Sequence, residues 1–173
     1  VLGDRIDLAG LNAIATGTSA NEVSRLAEEE ILVPEGSAWR FRNPMLREVA
    51  YSTLTDEDRA LAHRLAAQWL EKRGGASAAV LAEHWLRAGE AGEATIACAN
   101  AAEEALAAND LSRALSYAER GLSFRPKGEL RGALLLAMAE ACVWKGHLAE
   151  AREAADRAKK ALSVGSRGWC EAA

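Results

Sequence analysis

The triplet Asn109-Asp110-Leu111, followed by Ala114 and Ala118, recurs 37 residues later as Gly146-His147-Leu148, followed by Ala151 and Ala155. Ala105 matches Cys142 at the same offset. A period of this length marks one supersecondary unit used more than once. Such a unit cannot bury its apolar face alone, so neighbouring units stack. The matched positions are mostly small residues, which let two helices approach closely. Half of the 173 residues are hydrophobic, much of that fraction alanine; 5% are aromatic, and only three prolines interrupt the chain. Alanine orders in a helix without losing side-chain entropy. Together these features predict an all-α chain of closely packed helices.

The breaks place the helices. Gly89 to Gly92, Asn109-Asp110, Pro126 to Gly128 and Gly146 divide the second half into helices near 77–89, 92–108, 111–124, 128–145 and 147–163. Gly74-Gly75 is the strongest stop, because glycine ends helices in conformations other residues resist. It separates a first part, 1–75, from helical repeats over 76–173. A tetratricopeptide unit is about 34 residues long. The longer loop Arg125-Pro126-Lys127-Gly128 accounts for the excess, so an α-solenoid of tetratricopeptide-like hairpins is expected. Ala91 and Ala94 repeat the pattern only weakly.

The first part has mixed patterning. Asp7 can cap a short helix with Leu8, Leu11, Ile14 and Ala15, ended by Gly17. Ser19 with Glu22 fits a capping box that opens a second helix burying Val23, Leu26 and Ala27. Ile31-Leu32-Val33, a turn at Pro34-Glu35-Gly36-Ser37, and the alternation Trp39, Arg40, Phe41, Arg42 predict a small β-hairpin. Helix, helix, hairpin is the order of a partial winged helix. Asn43-Pro44 then starts a helix with an apolar face of Leu46, Val49, Ala50 and Leu54. Thr55 with Asp58 starts another, with Leu61, Leu65 and Trp69 as its stripe, together with Ala62 and Ala66.

The stretch 41–71, with Phe41-Arg42, Leu46-Arg47-Glu48, Ala50-Tyr51 and His63, resembles the segment after the ATPase module in bacterial signal-transducing NTPases with numerous domains, the STAND class. The stretch 81–94, with His84, resembles the start of the helical repeats in the same proteins. The family usually carries histidine where this chain has Asn43, the better helix cap. Such proteins often carry a serine/threonine kinase, a nucleotide cyclase or a LuxR-type DNA-binding domain elsewhere. The resemblance implies an ATPase core before Val1, and structural roles for Phe41, Arg42, Arg47, Tyr51, His63 and His84. It also implies that the winged-helix part packs on that core as a clamp.

The chain itself has no phosphate-binding loop ending in Gly-Lys-Ser/Thr, and no Ser-His-acid motif. Its net charge is -4, which disfavours non-specific nucleic-acid binding. The helix from Ala20 to Glu30 would be the one to enter a DNA groove. It carries Glu22, Glu28, Glu29 and Glu30 against Arg25, with Arg40 and Arg42 as the only supporting cations. A DNA-binding regulator is therefore the alternative function, and a regulatory, protein-interacting segment the leading one. His63, His84 and His147 lack metal-ligand spacing; His63 beside the apolar stripe and His84 beside Trp85 read as hydrogen-bonded packing groups, His147 as an exposed turn residue, and Asp56-Glu57-Asp58 suits a helix N-terminus. Cys98, Cys142 and Cys170 form no disulfide framework, which suggests a reducing cytoplasm.

No catalytic residue, cofactor or metal is expected in this segment. A protein partner is expected, from the same chain or another, with Arg87, Arg113, Arg120 and Arg131 as the candidate partner surface. Dimerisation through the last repeat is a further expectation, because a terminal repeat exposes a face that its neighbour would cover. The absence of an initiator methionine reads as a segment of something longer.

Overall fold

The computed structural model describes residues 5–15 and 20–172. The proposed capping box at Ser19 and the stop at Gly17 lie outside the described residues. The chain is mostly helical and divides into two compact units. One comprises Val1–Gly75 with Arg87–Gly89, the other Ala76–Leu86 with Glu90–Ala173.

In the first unit, β1 (Arg5–Ile6) leads to α1 (Leu8–Ile14) and α2 (Ala20–Glu28). Then β2 (Leu32–Glu35), β3 (Ala38–Phe41), α3 (Pro44–Ser52) and α4 (Asp56–Arg73) follow. The strands form an antiparallel sheet in the order β1-β3-β2. β1 was not foreseen, because two residues carry no readable alternation. Pro34 lies inside β2, opposite Trp39, rather than in the turn, which narrows to Gly36-Ser37. An edge strand tolerates proline because one row of its backbone groups needs no partner. Val23, Leu32 and Ala38 form the buried part of the sheet and its helix.

Capping in this unit follows the sequence. The Asp7 carboxylate accepts from the Gly10 N–H at 2.5 Å, Asn43 Oδ1 from the Met45 N–H at 2.9 Å, and Thr55 Oγ1 from the Asp58 N–H at 3.1 Å. The expected apolar faces are only partly buried. α3 has no buried residue, and Leu46 and Val49 are exposed. α4 buries Ala66, as expected, together with His63 and Ala67, while Leu65 and Trp69 are half-buried and Leu61 is exposed. His63, beside that stripe, is the buried polar residue of the helix.

The remaining helices, in the second unit save for the last two residues of α5, are α5 (Ala78–Ala88), α6 (Ala91–Ala107), α7 (Leu111–Ser123), α8 (Gly128–Trp144), α9 (Leu148–Ala161) and α10 (Arg167–Glu171). The first five of these fall within two residues of the limits read from the sequence. α10 was not foreseen, being too short to show a period. α6 packs on α7, α7 on α8, α8 on α9, and α6 also on α8. The interior is built largely from alanine, with Leu134, Leu135 and Cys98 as the largest fully buried side chains. A Cβ on Gly121 would lie 3.1 Å from Cys98 Cβ and 2.8 Å from Leu134, so glycine there sets how closely α6, α7 and α8 approach.

Candidate interaction surfaces

The four arginines expected to form a partner surface do not share one environment. Arg87 falls in the first unit and the other three in the second. Arg113 is exposed and lies 3.7 Å from Asp110, its own helix cap. Arg120 clamps Glu83 of α5 through both guanidinium nitrogens, at 2.5 and 3.1 Å, and lies 5.6 Å from the Tyr117 ring centroid. That bond to Glu83 raises the Arg120 pKa above its ordinary value. Burial, then Glu83, raises Tyr117 as well. Arg120 thus joins α5 to α7, as a packing group.

Arg131 is the exception. It lines a cleft of about 530 Å³ with Arg125, Lys127, Arg157 and Lys160, beside Pro126, Gly128 and Ala161. Sequence reasoning treated 125–128 only as a longer loop. The available signal was the basic cluster around Pro126, with Arg157 and Lys160 three apart on the last long helix.

Of the six residues tied to the family resemblance, Tyr51 and His63 meet directly. The phenol oxygen is 2.9 Å from His63 Nε2. Arg42 pairs with Glu30, and Arg47 lies 2.6 Å from Glu48. Phe41 is half-buried opposite Leu32 in the sheet. His84 lies in α5, half-buried, beside the buried Trp85.

The cations that a groove-reading face would need are matched by carboxylates. Arg25 lies 3.6 Å from Glu29 and Arg40 lies 3.7 Å from Glu35. Asp56, Glu57 and Asp58 occupy the first turn of α4, where free N–H groups favour negative charge. Arg59 lies 3.0 Å from Asp56. Among the described residues, no group of His, Cys, Asp and Glu could hold a metal ion. Within them, no helix is long and apolar enough to cross a membrane. Cys98 and Cys142 are buried, and burial raises both thiols, Cys98 to about 11; Cys170 is exposed.

The second surface is apolar. A groove of about 570 Å³ runs between α8 and α9 and begins where α10 ends, at Glu171 and Ala172. Leu136, Ala139 and Val143 line one wall; Leu148, Ala151 and Ala155 line the other. Glu140 and Glu171 add two negative charges and Arg152 one positive. Val143 is 53% exposed, Leu148 67% and neighbouring Trp144 70%, large values for apolar side chains.

The 37-residue offset explains this groove. It carries Ala139, Val143, Leu148, Ala151 and Ala155 back onto Ala102, Leu106, Leu111, Ala114 and Ala118. Leu106 and Ala114 belong to a cluster that Ala141 of α8 closes. The exposed groove is therefore the equivalent of a face that one repeat earlier packs against a helix. α10 starts that helix again: Gly165 matches Gly128, and Ala172, which packs on Leu135, Ala158 and Leu162, matches Leu135. No protein-family model, curated protein or solved structure matches this chain.

Proposed function

We propose that the chain is a non-catalytic regulatory and protein-interaction segment of a multidomain bacterial signalling ATPase. In this account the first unit is a winged-helix remnant. The strand order β1-β3-β2, with two helices before the hairpin, supports that topology. The pairs α6–α7 and α8–α9 are tetratricopeptide-like repeats, supported by their offset and their stacking. The resemblance of 41–71 and 81–94 to STAND proteins supplies the ATPase context.

One observation carries the interaction role, the exposed groove between α8 and α9. Its occupant is an amphipathic α-helix with the inward pattern of α8. Leucine and alanine stand seven residues apart there, as Leu134 and Ala141 do. The equivalence of the two faces supports this chemistry, and the groove continues the interface already begun by α10. Binding of such a helix would bias the parent protein between closed and open arrangements.

The test is fluorescence anisotropy with a labelled peptide of residues 128–145, Cys142 replaced by serine. The chain should bind it with a Kd on the order of 0.1 mM or tighter, since a free peptide must order on docking. The same peptide scrambled should not bind. Equal binding of both would overturn the groove as a helix site. The ATPase context stands or falls separately on whether the coding sequence upstream of Val1 contains a Gly-Lys-Ser/Thr phosphate loop.

A further inference from the structure

The basic cleft is independent of the groove. Five of the eight residues lining it are Arg or Lys, in a chain whose net charge is -4. Lys127 and Arg131 flank the start of α8, Arg157 and Lys160 the end of α9, and Arg125 the loop between α7 and α8. Like charges this close lie within roughly one Debye length and repel. Of the five, Arg157 alone has a carboxylate partner among the described residues. Glu153 lies 3.7 Å from Arg157. Glu129 is committed elsewhere, accepting from the Ser163 hydroxyl at 2.7 Å and its N–H at 3.1 Å. Arg125, Lys127, Arg131 and Lys160 make no ion pair among the described residues. Arg125 is also held at φ 55°, a left-handed conformation in which glycine is the usual residue.

We propose that this cleft binds a compact polyanion, a di- or triphosphate group carried by a soluble small molecule. Three guanidinium forks suit the tetrahedral oxygens of phosphate, and two ammonium groups add charge without demanding geometry. A volume of about 530 Å³ matches small-ligand clefts. An extended nucleic-acid backbone would need a basic stripe beyond the cleft, which the acidic balance of the chain does not favour.

The experiment is calorimetric titration of the chain with inorganic tripolyphosphate at low salt. Arg131→Gln with Lys160→Gln should weaken binding at least tenfold. Lys127→Gln, at an exposed position, should weaken it severalfold and leave the circular dichroism unchanged. Arg113→Gln, outside the cleft, should leave binding unchanged. No binding to the chain, or equal weakening by Arg113→Gln, would overturn the proposal. So would a hexaglutamate peptide binding as tightly as tripolyphosphate. Binding only to vesicles bearing a polyphosphorylated headgroup, with none to soluble tripolyphosphate, would also overturn it.

Discussion

The hydroxyl of Tyr51 meets Nε2 of His63 at 2.9 Å, with the two rings edge to face and their centroids 6.0 Å apart. His63 is 2% exposed, so water cannot replace that partner. Tyr51→Phe keeps the ring and removes the oxygen. The expected cost is about 1–2 kcal/mol, the usual price of removing one partner from a buried polar group. Urea unfolding of the variant measures it, and an unchanged midpoint would show that the bond contributes nothing.

Gly132 and Leu162 form a second testable pair. A Cβ on Gly132 would lie 2.2 Å from Leu162 Cδ2. Gly132→Ala gains up to about 1 kcal/mol of helix propensity but overpacks this contact, which costs roughly 1–3 kcal/mol. A net loss of stability is expected. Leu162→Ala alone is also destabilising, but the double variant should be more stable than the sum of the two single losses. Strict additivity in the double-mutant cycle would deny the contact.

The thiols should react unequally. At pH 8 a disulfide reagent should titrate one thiol in the folded chain, Cys170, and all three after denaturation. Because burial pushes Cys98 up to about 11 from an ordinary 9.0, the fold favours its neutral thiol. That contribution is complete below about pH 9 and is lost as pH rises toward 11. Thermal unfolding from pH 8 to pH 11 should show a falling midpoint, and Cys98→Ala should flatten that fall.

Arg125 offers a trade between stability and binding. Arg125→Gly relieves a left-handed backbone and should stabilise the chain by about 0.5–1 kcal/mol. The same change removes one cation from the cleft. A raised melting temperature together with weaker tripolyphosphate binding is expected; a lowered melting temperature would contradict the strain argument.

The helices were legible because their limits are written locally. Asn43, Thr55 and Asp110 each cap the helix they precede, and Gly74, Gly75 and Gly146 all adopt positive φ where helices stop. Inward faces were less legible. In α4 His63 was legible as a packing group beside the stripe, but not that it would lie deeper than Leu61 or that its partner is a hydroxyl twelve residues away. The surfaces were least legible. Arg131 and Lys160 meet only because α7, α8 and α9 stack. Arg120, which the sequence offered as an exposed cation, is held by Glu83 from 37 residues away. Val143 and Leu148 look like core residues in a linear reading, and their exposure follows from which neighbour covers them.

The groove is the centre of this account, and amide chemical-shift mapping with the peptide of residues 128–145 tests it most directly. The predicted result is a set of shifts confined to α8, α9 and α10 along Leu136, Val143, Leu148 and Ala155. Val143→Glu with Leu148→Glu, both at exposed positions, should abolish those shifts without changing stability by more than about 0.5 kcal/mol. Shifts centred on α6 and α7, or shifts that survive the double substitution, would contradict the claim that this face is a docking site for a helix.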